Sequence, residues 1–142
     1  MHTKYFYSIT KLIIVSVALC SLTNGQISIV VSKSSTNTAT QSELKQMFTG
    51  SLLSWSGGTK VAIIDQSDSE TGKTFHSKFL DKSVAQVRGE WMKLVLSGQA
   101  NAPKKCSDDE AVKKALSENP NSVGYITSSA MDGSVKELYR IN

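Results

Sequence analysis

The chain has 142 residues, a length that fits one domain and leaves no room for two of typical size, about 100–150 residues each. Its apolar and charged fractions, 39% and 20%, are those of an ordinary soluble globular protein. The formal net charge is +4, but the basic residues are scattered and form no stripe with interleaved aromatic residues, so nucleic-acid binding is not predicted.

Residues 1–25 have the pattern of a cleaved signal peptide. Lys4 and Lys11 lead into the apolar run LIIVSVALCSL at 12–22. This run has the length of a signal-peptide h-region and is too short for a transmembrane helix, which needs about 20 apolar residues. A small residue, Gly25, ends the segment and predicts cleavage after it. The mature domain is therefore expected to be exported, to the periplasm or out of the cell.

Two alternative interpretations of residues 1–25 remain. The first alternative is a lipoprotein signal with Cys20 as the lipidation site, although the bulky Leu19 stands where such signals usually have a small residue. An uncleaved membrane anchor is the second alternative. Cleavage would leave residues 26–142 as one domain with 14 basic and 12 acidic side chains, because residues 1–25 contain two lysines and no acidic residue.

The predicted mature domain keeps one cysteine and one histidine. Cys106 by itself forms no intramolecular disulfide, and it is interpreted as a small buried apolar residue, with a free thiol or a dimer link as alternatives. His76 by itself gives poor support for a metal site. Neither a metal nor a cofactor is predicted.

In chain order, the first predicted elements are a strand and a helix. The β-branched run ISIVV at 27–31 predicts the strand, and a Ser/Thr/Asn-rich connector follows at 32–38. A capping-box pattern at 40–43 opens the helix, and Gly50 ends it. The apolar face of this helix is predicted to consist of Leu44, Met47 and Phe48.

The next segment, VAIIDQSDSETGKTFHSKFL at 61–80, carries the main functional signal. An apolar strand at 61–64 stops at Asp65, a turn rich in Ser, Asp and Thr follows, and apolar residues then recur at helical spacing, predicting a helix near 71–80. The N terminus of a helix offers free backbone N–H groups and the positive end of its dipole to an anion. A small oxyanion would therefore bind at this turn, the elbow (residues 65–71).

The remaining elements continue the alternation. They are a helix at 84–96 with Val87, Trp91, Leu94 and Val95 on one face, a loop at 98–103, a helix opened by a capping box at 107–110 and broken at 119–121, and strands at 123–126 and 135–139. Strands separated by helices predict an α/β fold with helices on the faces of a sheet.

In this order the motifs resemble those of the phosphate-binding proteins of ABC transporters, which are two-lobed periplasmic binding proteins. The resemblance extends from residue 27 to about residue 138. It rests on ISIVV, SELKQMFTG with Trp55 seven residues after Phe48, VAIIDQ-x-x-S-x-T, EWMKLVLSGQANAP and ENPNSVGYITSS. It implies a single lobe of a type II periplasmic binding protein over residues 26–142, with three layers and a mixed sheet flanked by helices. The length leaves no space for the second lobe, so a ligand would lie on an open face.

The resemblance also implies which residues contact the ligand. The relatives carry Arg, three intervening residues and Ser-Gly-Thr, and the Arg and the hydroxyls hold phosphate. Ser69 and Thr71 occupy the Ser and Thr positions, but Asp65 stands at the Arg position and Glu70 at the Gly position. A like charge at about 4 Å costs about 1 kcal/mol in water, which opposes the roughly 0.3–1 kcal/mol that an exposed helix terminus contributes. Tight phosphate binding is not expected.

Gly72 and Lys73 complete the predicted ligand set. The N–H groups around Gly72 would contact the oxyanion, and Lys73 would offset part of the added negative charge. The alternative is that Ser69 serves only as a helix N-cap and that Asp65 serves only as a solvated or turn-bonding residue.

Catalysis is not predicted. Ser77, His76 and Asp65 do not form a hydrolase triad, because neighbours in a helix point about 100° apart and no G-x-S-x-G elbow is present. His76 is expected to be exposed, while Trp55 and Trp91 are expected in the core. No phosphate-binding G-x-x-x-x-G-K-[ST] motif supports ATP hydrolysis.

Two functions of different classes follow. The first is an exported oxyanion-binding protein for inorganic phosphate in uptake or sensing, with the membrane component of an ABC transporter as its implied partner. The second is a ligand-free protein-interaction module of the cell envelope, which pairs with an envelope protein or as a homodimer. Exposed apolar area on the open face would favour the second.

Overall fold

The structure is a computed structural model that describes residues 25–142. The predicted signal peptide lies outside the described residues, apart from Gly25. Within the described range, no helix combines the length and the hydropathy needed to cross a bilayer.

The described part of the chain contains five strands and four α-helices. The strands are β1 (Ile27–Ser32), β2 (Ala62–Asp65), β3 (Lys104–Lys105), β4 (Ser122–Thr127) and β5 (Val135–Ile141). The helices are α1 (Gln41–Thr49), α2 (Glu70–Phe75), α3 (Val84–Leu96) and α4 (Asp109–Glu118). A π-helical turn, His76–Leu80, continues α2, and a 3-10 turn, Ser128–Ala130, follows β4.

The helix N termini follow from local capping. Thr40 and Ser83 each form the reciprocal hydrogen bonds of a capping box, to Glu43 and Gln86 respectively. In α4 the cap is Asp108 and not Ser107 as the pattern predicted, because the Asp108 carboxylate accepts the N–H of Ala111 at 2.8 Å.

Two features of the secondary structure were not predicted. The helix expected at 71–80 begins at Glu70 and changes at His76 to the wider π-helical turn, which ends at the left-handed Asp81 (φ 53°). The second feature is β3, which consists of two lysines. Lysine is not β-branched, and the two residues form no alternating apolar pattern that would predict a strand.

The strands form one mixed sheet in the order β3-β2-β4-β1-β5. β2 is parallel to both β3 and β4, whereas β1 is antiparallel to both β4 and β5. Because β2 and β4 are parallel neighbours, their carboxyl ends lie at the same edge of the sheet. This edge brings the elbow after β2 next to the end of β4.

The sheet separates two apolar clusters, and this confirms the predicted three-layer α/β fold. Alternate residues of a strand face opposite sides. Ile29 and Ile63 therefore pack on the side of α1 and α3, while Val30 and Ile64 pack on the side of α4. The prediction that both tryptophans lie in the core is also confirmed, since Trp55 and Trp91 are buried in the first cluster.

Candidate functional site

Gln66, the first residue after β2, is a buried residue whose side chain links the elbow to its surroundings by hydrogen bonds. Its side chain is 2% exposed. Its amide Nε2 donates to Asp109 Oδ1 at 2.8 Å and to the Tyr125 carbonyl oxygen at 2.9 Å. The same Asp109 oxygen accepts the N–H of Thr127 at 3.2 Å. Hydrogen bonds thus join the elbow to α4 and to the end of β4.

Asp65 is partly buried and bound to a tyrosine. The Tyr125 hydroxyl donates to Asp65 Oδ1 at 2.5 Å and accepts the N–H of Gln66 at 3.2 Å. The Tyr125 ring stacks on Phe75 with a centroid distance of 3.8 Å. Burial, together with the neighbouring Asp65 carboxylate, raises the pKa of Tyr125 well above its usual range. The hydroxyl therefore stays protonated and remains a donor to Asp65.

Ser69 is the N-cap of α2. Its hydroxyl oxygen accepts the N–H of Gly72 at 3.0 Å, and the hydroxyl lies 2.8 Å from the Gln66 carbonyl oxygen and 2.9 Å from Gln66 Oε1. Both the hydroxyl and the Gly72 amide are consequently engaged within the protein. An oxyanion would have to displace this cap to reach either group.

Two other backbone donors remain at the start of α2. The N–H groups of Glu70 and Thr71 have no hydrogen-bond acceptor among residues 25–142. The Thr71 hydroxyl lies 3.2 Å from the Thr127 hydroxyl, at the carboxyl end of β4. These four groups form the donor cluster, defined as the Glu70 and Thr71 amides with the Thr71 and Thr127 hydroxyls.

The charges beside the donor cluster partly cancel. Lys73 Nζ lies 3.2 Å from Glu70 Oε1, and both side chains are largely exposed. An exposed pair of this kind contributes little to stability. It does, however, place a cation one turn from the helix N terminus, beside the carboxylate that opposes anion binding.

The expectation that His76 is exposed is wrong, because its side chain is only 4% exposed. The ring Nδ1 lies 2.8 Å from the Gly72 carbonyl oxygen, to which it donates, and the ring packs edge-on against Phe75. A donated hydrogen bond and an aromatic neighbour make burial of an imidazole favourable. The π-helical turn that begins at His76 is not visible in the apolar periodicity, so the orientation of the ring was not predictable.

Cys106 is partly buried and packs against the apolar cluster on the α4 side. The pKa of its thiol is raised, mainly because the side chain is partly buried. Its backbone N–H donates to the Asp65 carbonyl oxygen at 2.7 Å. These contacts agree with the interpretation of Cys106 as a packing residue. Within the described residues, no cluster of three or more His, Cys, Asp or Glu side chains is arranged to hold a metal ion.

The predicted ligand residues thus differ in whether their polar groups are already hydrogen-bonded within the protein. Ser69 and Gly72 are bonded to each other, Asp65 is bonded to Tyr125, and Thr71 and Lys73 remain near open backbone donors. Their role as phosphate ligands stays a prediction.

Sequence reasoning missed three residues that form the contacts of the elbow: Gln66 within it, and Tyr125 and Thr127 from β4. Tyr125 and Thr127 come from a strand about 60 positions away in the chain. A parallel arrangement of the strands at 61–64 and 123–126 would have indicated them, since open α/β sheets bind ligands at the carboxyl ends of neighbouring strands. The order of strands is not readable from one sequence.

No protein-family model matches the chain, and no curated protein matches it. Solved structures do match it. Those with TM-scores of 0.62 are a protein from Clostridium perfringens described as a phosphate ABC transporter substrate-binding protein with bound phosphate (15% identity) and an ABC-type phosphate transport receptor from Vibrio cholerae (21% identity). A third, PstS from Borrelia burgdorferi, has a TM-score of 0.59 and 15% identity.

Each match covers 80% of this chain but only 45–47% of the solved chain, so this protein spans slightly less than half the length of those it resembles. The resemblance predicted from the sequence is confirmed at the level of the fold. The described residues have the architecture of one lobe of a periplasmic binding protein.

Proposed function

We propose that this protein is an exported, non-enzymatic binding protein that holds phosphate or a similar oxyanion weakly at the elbow, in phosphate uptake or sensing. The observation that carries the proposal is the donor cluster. Two adjacent backbone N–H groups without acceptors, at the positive end of a helix and beside two hydroxyls, match the chemistry of an oxyanion. The fold shared with proteins described as phosphate receptors supports the same proposal.

Weak affinity is expected for two reasons. The carboxylate of Glu70 stands at the helix terminus that would bind the anion, and the hydroxyl of Ser69 is used as a cap. A dissociation constant of about 1 mM, equivalent to about 4 kcal/mol, is the affinity expected of a few exposed hydrogen bonds. Partnership with an ABC transporter component is part of the proposal and rests on the resemblance.

Titration calorimetry with phosphate and with sulfate tests the proposal. Glu70→Gln is expected to tighten phosphate binding about fivefold, since it removes a repulsion of about 1 kcal/mol at about 4 Å. Thr71→Val is expected to weaken binding, because it deletes the hydroxyl without changing the size of the side chain. Ser77→Ala is the matched control, because that hydroxyl is exposed and donates only to the Thr74 carbonyl oxygen.

The opposite result would be no binding of either anion at several millimolar, by the unmodified protein and by Glu70→Gln alike. That result would reject the oxyanion function and leave the interaction module as the remaining hypothesis.

A further inference from the structure

A cavity of about 420 Å³ lies between α3 and the sheet edge formed by β2 and β3. This volume is within the usual range for small-molecule sites, about 300–1,000 Å³. The walls are mostly apolar and include Ile63, Val87, Trp91, Met92 and Pro103. α3 buries only Val87 and Trp91, and its exposed side chains Met92, Val95 and Leu96 line the cavity.

Two buried polar side chains, each with an atom that makes no hydrogen bond, line this cavity. Ser67 and His76 are 5% and 4% exposed. The Ser67 hydroxyl and the His76 Nε2 make no hydrogen bond to residues 25–142. Within this range, every side-chain nitrogen or oxygen that is fully enclosed has a hydrogen-bond partner. Neither atom is therefore fully enclosed, and both residues line the cavity.

The polar end of the cavity is rich in acceptors. His76 Nδ1 donates to the Gly72 carbonyl oxygen, so Nε2 is the acceptor of the neutral ring. Asp65 also lines the cavity, and Tyr125 engages only its Oδ1, which leaves Oδ2 available. With the Ser67 hydroxyl, the lining of the cavity offers three acceptors. Three acceptors, one of them ionised, match the three N–H bonds of an ammonium group.

Cationic side chains line the same cavity beside these acceptors. Lys105 is the strand partner of Asp65 across β2 and β3, it lines the cavity, and it has no ion pair among the described residues. Arg88 also lines the cavity and pairs with the exposed Asp68 at 3.3 Å. A ligand with a carboxylate beside its ammonium group would satisfy both the acceptors and the cations.

We propose that this cavity binds a free apolar α-amino acid. The ammonium group donates to Asp65, His76 and Ser67, the carboxylate faces Lys105, and the apolar side chain packs against the α3 wall. An apolar acid without an ammonium group would leave the acceptors unpaired and face the Asp65 charge. The site shares no ligand group with the donor cluster, although Asp65 and Ser67 belong to the elbow, so failure of the test below would leave the proposed oxyanion function standing.

The test uses purified protein and four compounds in parallel titrations. L-leucine and L-phenylalanine are expected to bind and to change the fluorescence of Trp91. Isocaproate, which lacks the ammonium group, and isopentylamine, which lacks the carboxylate, are expected to bind at least about tenfold more weakly, because each loses a charge-assisted contact. Saturating phosphate is expected to leave the affinity for L-leucine unchanged.

Two substitutions locate the site. Asp65→Asn keeps an acceptor for the Tyr125 hydroxyl and removes the charge, so it is expected to weaken L-leucine binding about tenfold or more. Ser67→Ala is expected to weaken it several-fold. The matched controls are Asp81→Asn and Ser77→Ala, both on exposed side chains outside the cavity. Circular dichroism of each variant verifies that it is folded.

Amide shift mapping by NMR gives a second readout that needs no substitution. L-leucine is expected to shift the signals of Ser67, Val87 and Trp91. The proposal is overturned if neither amino acid binds at millimolar concentration, if isocaproate binds as well as L-leucine, if Asp65→Asn binds it with unchanged affinity, or if the shifts fall on Glu70 and Thr71 instead.

Discussion

At the scale of single residues, Gly72 has a packing role that the sequence did not indicate. Its amide N–H donates to the Ser69 hydroxyl. A Cβ atom at Gly72 would lie 2.0 Å from the Gln66 carbonyl oxygen and 2.6 Å from the Ser67 Cα atom. The absence of a side chain is what allows α2 to pack this closely on the elbow.

Gly72→Ala is therefore expected to destabilise the protein by about 1–3 kcal/mol, the usual cost of overpacking. Gly89→Ala is the matched control in another helix. A Cβ atom there meets nothing within 4 Å, so the variant is expected to gain about 0.5–1 kcal/mol from helix propensity. Urea unfolding measures both. Equal effects of the two substitutions would contradict the close approach at Gly72.

At the scale of elements, α4 is tied to the turn before β5 by a partly buried lysine. Lys113 Nζ lies 2.8 Å from Asp132 Oδ2, 2.7 Å from Glu110 Oε1 and 3.1 Å from the Ala130 carbonyl oxygen. The hydrogen bond from Lys113, supported by those from Ser134, holds the pKa of Asp132 well below its usual range.

A depressed carboxyl pKa stabilises the folded state above the unfolded-state pKa, about 3.9 for Asp, and the stabilisation is lost as the pH falls toward the folded-state pKa. The difference in unfolding free energy between the unmodified protein and Asp132→Asn is expected to be largest above about pH 5 and to shrink below about pH 4. Urea titrations at several pH values measure it. A pH-independent difference for Asp132→Asn would argue against the ion pair.

At the scale of the whole molecule, the two apolar clusters share one sheet and should unfold together. Leu116 is fully buried on the α4 side, whereas both tryptophans lie on the other side. Neighbouring residues of one strand, such as Ile63 and Ile64, belong to different clusters. Unfolding of either cluster therefore removes packing contacts from the same strands on which the other cluster packs.

Leu116→Ala is expected to lower the unfolding free energy by about 2–5 kcal/mol, from lost burial and a residual cavity. Tryptophan fluorescence and far-UV circular dichroism should report the same midpoint, although no tryptophan is near the substitution. Leu96→Ala is the control, since Leu96 is 81% exposed and such changes usually stay within about 0.5 kcal/mol. Separate midpoints for the two probes would indicate that the clusters unfold independently.

The sequence by itself determined the local elements, because each depends on residues a few positions apart. The capping boxes before α1 and α3 and the Ser69 cap of α2 follow from adjacent side chains. The strand–turn–helix order, and with it the resemblance to one lobe of a periplasmic binding protein, follows from short-range patterns.

Only the tertiary structure decided what the elbow contacts. The strand order placed Tyr125 on Asp65 across 60 positions of the chain, and the π-helical turn directed His76 inward. Ser67 and His76 line a cavity beside α3 that no periodicity indicates. These features depend on contacts between distant parts of the chain, whose geometry is set by packing across the sheet and not by the residues next to them.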